Sequence, residues 1–291
     1  MSFIANIFGY LLEFIYNFVN NYGLAIIIFS VVLKLILLPL SIKQQKTMKK
    51  STELQGKMKE LQVKYKNNPE KLNQETIQLY KREKMSPFSG CLSSIVQIIL
   101  LFAVFYLVRS PLTYMKKVEP SVIENYTNEI QQEGNLNTAY PEISIIQYKG
   151  PQDENVNLNM NFLGIDLSKV PTQSLNDPRV YVIPVLYVIS SFISIRMTNN
   201  MQNKKNKEKK KKDIEIVDGE AKEVEENSEL EAMAQANKSM SWLMPIMSIS
   251  IAIVAPLGLA LYWLVSNILM IIERLIINKV LESKEEKADA E

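Results

Sequence analysis

The chain has no histidine and a single cysteine, Cys91. The first absence removes the commonest zinc ligand and general base; the second excludes an intrachain disulfide framework and any CxxC metal or redox pair. There is no glycine-rich phosphate loop, no GxSxG elbow and no internal repeat of roughly 20 to 50 residues. No catalytic residue, metal site or cofactor is therefore expected. An excess of one charge is missing too: the formal net charge is +2, and no DNA partner is expected.

What the chain has is long hydrophobic runs. With 47% hydrophobic and 22% charged residues and a mean hydropathy of -0.02, the averages would suit a soluble protein. The two kinds of residue are segregated into blocks, however, and block length is what separates membrane spans from a globular core. Tyr22 to Ile42 is long enough, at about 1.5 Å per residue, to cross a hydrocarbon core of about 30 Å. Further apolar blocks run over Phe88 to Val108, Val180 to Met197, Ser241 to Ala255 and Leu257 to Ile277, with Pro256 and Gly258 turning the chain between the last two. The expected fold class is an all-α membrane protein with five transmembrane helices, a cytoplasmic antiparallel helical hairpin and an N-terminal interfacial amphipathic helix.

Lysine and arginine placement orients the spans, because short cytoplasmic loops are enriched in both. They crowd Lys43 to Lys84 and the run Lys204 to Lys212, whereas Ser110 to Asp177 has few among many acids. The N-terminus is thus expected outside and the C-terminus in the cytoplasm.

Residues 1–21 are apolar but carry Glu13 and several asparagines, which favours a helix on the outer surface over an extra span or a removed leader. Residues 22–42 form the first span and 43–87 the hairpin, folded about the breaker Asn67-Asn68-Pro69. The second span covers 88–108, and 109–179 is an extracytoplasmic loop read as mostly polar and irregular, with Met160 to Leu167 a candidate for packing on the membrane surface. The third span is 180–197, a charged disordered linker follows at 198–240, and spans 241–255 and 257–277 precede a cytoplasmic tail at 278–291.

The polar residues of the spans share a depth. Counted inward from the cytoplasmic ends Ile42, Phe88 and Ile277, Lys34, Gln97 and Asn267 all fall in the inner half or near the midplane. The outer halves are apolar, with tyrosine and tryptophan supplying their only side-chain polar atoms. A water-filled pore needs polar lining along its whole length, whereas this pattern builds a recess open to the cytoplasm and closed outside. Lys34 is expected to face that recess, since a charge within a span costs roughly 2.5 to 3.5 kcal/mol on insertion scales. Two plainer readings stand beside this one. Lys34 can snorkel along its own stem to the inner boundary, and Gln97 and Asn267 can serve as hydrogen-bonding glue between helices. On the hairpin, Lys57, Lys59, Lys64 and Arg82 form either a membrane-surface or partner-binding face or simply a solvated basic surface.

The stretches Tyr22-Gly-Leu-Ala-Ile-Ile, Lys34-Leu-Ile-Leu-Leu-Pro39-Leu, Leu79-Tyr-Lys-Arg-Glu-Lys-Met-Ser-Pro87, Gly90-Cys91-Leu, Met244-Pro245-Ile-Met, Pro256-Leu-Gly-Leu-Ala-Leu-Tyr262-Trp263 and Ser266-Asn267 together resemble the YidC family of membrane protein insertases. Its relatives include the mitochondrial and chloroplast oxidase-assembly insertases. The resemblance implies a non-enzymatic insertase and chaperone of the bacterial plasma membrane, of the Gram-positive type. It implies an inner-leaflet groove in which one positive charge, here Lys34 where the family usually has arginine, attracts the tail of a nascent segment. Ser30, Gln97, Tyr262, Trp263 and Asn267 are the accompanying groove residues. Nascent membrane proteins, phospholipid, the Sec translocon, the ribosome and the signal-recognition-particle receptor are the implied partners of a monomer. The rival class is a small transporter or channel, which requires polar residues continuing through the outer halves or inverted repeats with broken helices.

Overall fold

A computed structural model describes residues 2–65, 68–84, 89–197 and 250–288, with side chains throughout except at 48, 49, 51, 52, 55, 59, 89–97, 278 and 281–288. The elements in order are α1 (Ser2–Val19), α2 (Tyr22–Lys64), α3 (Pro69–Arg82), α4 (Ser89–Arg109), α5 (Pro111–Tyr114), α6 (Pro120–Gln132), α7 (Pro141–Tyr148), β1 (Asn161–Phe162) and β2 (Ile165–Asp166). Two 3-10 turns, Pro171–Gln173 and Pro178–Tyr181, lead into α8 (182–197); α9 is described over 250–254, and α10 runs Leu257–Ala288. Four stretches are helical, long and apolar enough to cross a membrane: Ser2–Val19, Tyr22–Thr47, Pro178–Met197 and Leu257–Ile277. The apolar run Ile98–Arg109 belongs to α4. The linker expected at 198–240 and most of the span expected at 241–255 lie outside the described residues.

Helix α2 is one continuous rod through Pro39. It starts where Asn21 accepts a hydrogen bond from the Leu24 N–H at 3.0 Å, satisfying one of the donors that a first turn leaves open. Its distal part meets α3: the Tyr80 hydroxyl lies 3.5 Å from Met58 Sδ, Lys57 Nζ lies 2.5 Å from Glu83 Oε1, and Leu54 and Leu79 are buried. Helix α3 is itself capped by Asn68, which accepts from the Lys71 N–H at 3.0 Å, with Pro69 in the first turn.

Helix α1 buries Ala5, Gly9, Leu12 and Ile15 against α2, α4 and α5, and leaves Phe3, Ile7, Tyr10, Phe14 and Phe18 exposed on the opposite side. Contact with α5 is so close that a Cβ on Gly9 would lie 1.8 Å from the Tyr114 carbonyl oxygen. Phe8 meets Phe29 of α2 edge to face, 5.7 Å between ring centres. Near one end of α1, Lys117 Nζ donates to Asn6 Oδ1 at 2.5 Å and sits 4.4 Å from the centre of the Tyr10 ring. At the other end, Asn159 N–H donates to the Tyr16 hydroxyl at 2.9 Å and Asn159 Nδ2 to the Asn20 carbonyl at 2.8 Å.

The segment between α4 and α8 corrects the expectation of an irregular loop. Proline opens α5, α6, α7 and both 3-10 turns, a position where its missing N–H is no loss. Val122, Ile123, Tyr126 and Ile130 recur at helical spacing on α6 and pack with Ile143, Ile145 and Ile146 of α7 in the same core cluster as the long helices. Buried Glu142 accepts from Thr113 N at 3.0 Å and from Thr113 Oγ1 at 2.6 Å, tying α7 to α5. Burial pushes its carboxyl above the usual range, and the Thr113 bonds work in the opposite direction. Met160 to Leu167 contains a β-hairpin: Asn161 pairs with Asp166 and Phe162 with Ile165 around a two-residue turn, Leu163-Gly164, in which both φ angles are positive.

This hairpin positions the long helices. The Tyr22 N–H at the start of α2 donates to Asn159 O at 2.9 Å, while at the start of α10 Leu257 N donates to Lys169 O and Gly258 N to Leu167 O, each at 3.0 Å. The open donors of two helix starts thus end on one short segment. A Cβ on Gly23 would fall 2.5 Å from the Phe162 ring, so the hairpin also lies directly on the first turn of α2.

Candidate functional site

Helices α2 and α10 leave this common end and pack side by side. At about 1.5 Å per residue, Lys34 lies about 18 Å along α2 from Tyr22, and position 273 about 24 Å along α10 from Leu257. A lysine stem spans the difference. Lys34 Nζ lies 2.5 Å from Glu273 Oε2, with the Lys34 side chain 29% exposed and that of Glu273 only 6%. Lys34, the one charge of the Tyr22 to Ile42 block, is therefore paired with a carboxylate from another helix. The other carboxylate oxygen, Glu273 Oε1, is buried with no hydrogen-bond partner among the described residues. Breaking such a pair by removing one partner costs about 3 to 5 kcal/mol when both groups are buried, and less where one is open, as Lys34 is.

The polar residues around the pair are tied to neighbouring helices or to their own. Ser30, one turn from Lys34, is buried, and its hydroxyl donates to the Ile26 carbonyl of α2 at 2.7 Å. Asn267 Nδ2 donates to Ser190 Oγ at 2.9 Å and Ser191 Oγ at 3.2 Å, and Ser190 donates in turn to the Tyr187 carbonyl at 2.8 Å. Trp263 lies beside Tyr187 with ring centres 6.0 Å apart, and Tyr262 packs partly buried against the core. The structure thus joins α8 to α10 through Asn267 and Trp263, and α2 to α10 through Lys34 and Glu273. The Gln97 side chain lies outside the described residues, as does that of Lys59.

Toward the hairpin end of the helices the packing is apolar: Ile26, Val104, Leu107, Leu259, Ala260 and Leu261 are buried. The apolar packing toward the β-hairpin was legible in the sequence. Glu273 was not singled out, although a carboxylate just before Ile277, within the expected fifth span, was there to be seen. Of the basic residues on the distal part of α2 and on α3, Lys57 is held by Glu83, Lys64 Nζ lies 5.4 Å from the centre of the Tyr65 ring, and Arg82 is exposed. Lys57, by hydrogen bond and by charge, holds the Glu83 carboxyl below its usual range.

Long apolar helices, an ion pair at depth and an ordered segment laid across the ends of two helices define a helical membrane-embedded protein. The chain belongs to the YidC family: residues 14–285 match the family described as 60Kd inner membrane protein. It is 29% identical over 276 residues to the membrane protein insertase YidC of Caldanaerobacter subterraneus, covering 95% of this chain and 94% of that relative. The insertase of the same name from Fusobacterium nucleatum is 28% identical over 283 residues, 96% of this chain and 98% of the relative. That of Chlorobaculum tepidum is 30% identical over 288 residues, 97% of this chain but 37% of a longer protein.

Proposed function

We propose that the chain is a membrane protein insertase and chaperone, without catalytic chemistry, that accepts a nascent hydrophobic segment beside Lys34 and releases it into lipid. The names of its relatives support the class. The observation that carries the site is the half-open Lys34–Glu273 pair on a bundle whose opposite end is apolar and crossed by the 157–169 segment. A recess of this shape carries a hydrophilic tail partway into the bilayer and shortens the apolar barrier left to cross. Transfer of the hydrophobic segment into lipid supplies the driving force. Trp263, Tyr262, Ser30, Gln97 and Asn267 complete the groove in this reading, Asn267 and Ser30 chiefly by holding its walls.

The reading places five spans, 22–42, 88–108, 180–197, 241–255 and 257–277, with the N-terminus outside and the C-terminus in the cytoplasm of a bacterial plasma membrane. Residues 1–21 lie along the outer surface. In support, Asn6 and Tyr16 are about 15 Å apart along α1, yet both bond to the segment between α4 and α8, whose own parts are joined by Lys116 Nζ donating to the Glu154 and Asn157 carbonyls at 3.0 and 3.3 Å. A helix crossing the membrane would carry one of these ends away from that layer. Residues 43–87 form the cytoplasmic hairpin, whose Lys57, Lys59, Lys64 and Arg82 meet phospholipid headgroups or partners such as the Sec translocon, the ribosome or the signal-recognition-particle receptor. Residues 198–240 and 278–291 are cytoplasmic, and the unit is a monomer.

The test is complementation of insertase depletion with wild type, Lys34→Arg, Lys34→Gln and Lys34→Leu, scored by protease access to a substrate's translocated tail. Wild type and Lys34→Arg should rescue and Lys34→Leu should not; equal insertion by all four would remove the charge from the mechanism. A transporter or channel instead requires solute flux through liposomes containing the purified protein.

A further inference from the structure

We infer that Glu273 is a built-in counter-ion that occupies Lys34 until an acidic group of an incoming segment takes its place, so that the pair sets how acidic a tail must be to enter. This rests on the insertase reading above. The two groups come from different helices, α2 and α10, and meet at 2.5 Å. The partners are unequally covered. Lys34 is 29% exposed and open to an arriving group, whereas Glu273 is at 6% and cannot be reached without moving α10 or its own rotamer.

Electrostatics makes this arrangement selective. A lone ammonium attracts carboxylates as a point charge over several ångströms, but an ammonium paired with a carboxylate is a dipole whose field falls off faster. An acidic tail therefore gains little until it is close enough to compete for Nζ, and at that range it is repelled by Glu273 unless that carboxylate yields. Glu273 Oε1 is buried without a hydrogen-bond partner among the described residues, so the paired state leaves one carboxylate oxygen unsatisfied. Arg274 lies next in sequence on α10 and within electrostatic reach of Glu273.

The experiment uses the full chain in liposomes and a single-span substrate whose translocated tail carries no, one or two acidic residues. Four proteins are compared: wild type, Glu273→Gln, Lys34→Leu and the double variant. Glu273→Gln should raise the acidic-to-neutral ratio of initial insertion rates about three- to tenfold, the range for freeing a partly buried charge. The same substitution should leave the ratio unmoved in the Lys34→Leu background. An unchanged ratio in a Glu273→Gln protein that melts and resists protease like wild type overturns the inference, as does an equal rise without Lys34, which would assign the effect to Arg274. Should Glu273→Gln not fold, Glu273→Asp, whose shorter stem loosens the contact while keeping its charge, must still raise the ratio; a value at or below wild type overturns the inference. If Lys34→Leu inserts every tail as wild type does, the attractor reading itself falls. Loss in Lys34→Leu with an unmoved Glu273→Gln removes the counter-ion alone.

Discussion

Replacing Asn267 with alanine separates two roles that this residue can play. In the structure its amide donates to Ser190 Oγ at 2.9 Å and Ser191 Oγ at 3.2 Å, which clamps α10 to α8. Interhelical hydrogen bonds in membranes average about 0.6 kcal/mol and reach about 1.7. Ser190 is not stranded by the change, since its hydroxyl keeps the Tyr187 carbonyl as its acceptor. The expected cost is therefore about 1 to 2 kcal/mol, a factor of about 5 to 30 in the folded-to-unfolded ratio. Equilibrium unfolding of the purified protein in mixed micelles measures it. A double-mutant cycle with Ser190→Ala and Ser191→Ala should return most of that energy as coupling. Substrate insertion at a temperature where the variant stays folded should remain within about twofold of wild type. The opposite pattern, full stability with insertion reduced tenfold or more, would show that Asn267 binds substrate and that its serine contacts are incidental.

Three further outcomes follow from other parts of the molecule. Because burial raises the Glu142 carboxyl above its unfolded value, the folded state retains a proton that the unfolded chain gives up; stability should fall as pH rises from the ordinary carboxylate range through the raised value, and Glu142→Gln should flatten that slope in melts at graded pH. Gly9→Ala should destabilise by about 1 to 3 kcal/mol, since its Cβ meets backbone at Tyr114 rather than a movable side chain, with limited proteolysis of the 110–177 segment as the readout. Glu83→Gln, by contrast, should leave the melting temperature unchanged at physiological salt, because the Lys57–Glu83 pair is exposed and screened; a marked drop there would mean that the pair holds α3 on α2.

Much of this was visible along the chain. Apolar blocks of span length locate α2, α4, α8 and α10, because lipid demands long uninterrupted helices and the requirement is met locally. The break before α3 at Asn68-Pro69 and the turn at Pro256 are local as well, and local signals can be read without the fold. The positions of Lys34 and Asn267 within their apolar blocks also needed only counting. The order within residues 110–177 was obscured because its helices are short and its apolar positions few; they become a core only where they meet α1, α4 and the ends of α2 and α10.

What the sequence by itself determined is the membrane class, the rods and the presence of a cation within one of them. Which partner each polar group takes was decided by the tertiary structure alone. Lys34 reaches Glu273 because one segment, 157–169, hydrogen-bonds the starts of both α2 and α10 and thereby sets their relative depth. Asn267 faces Ser190 and Ser191 for a similar reason, since helix rotation and register are set by packing between helices and not by the composition of either one.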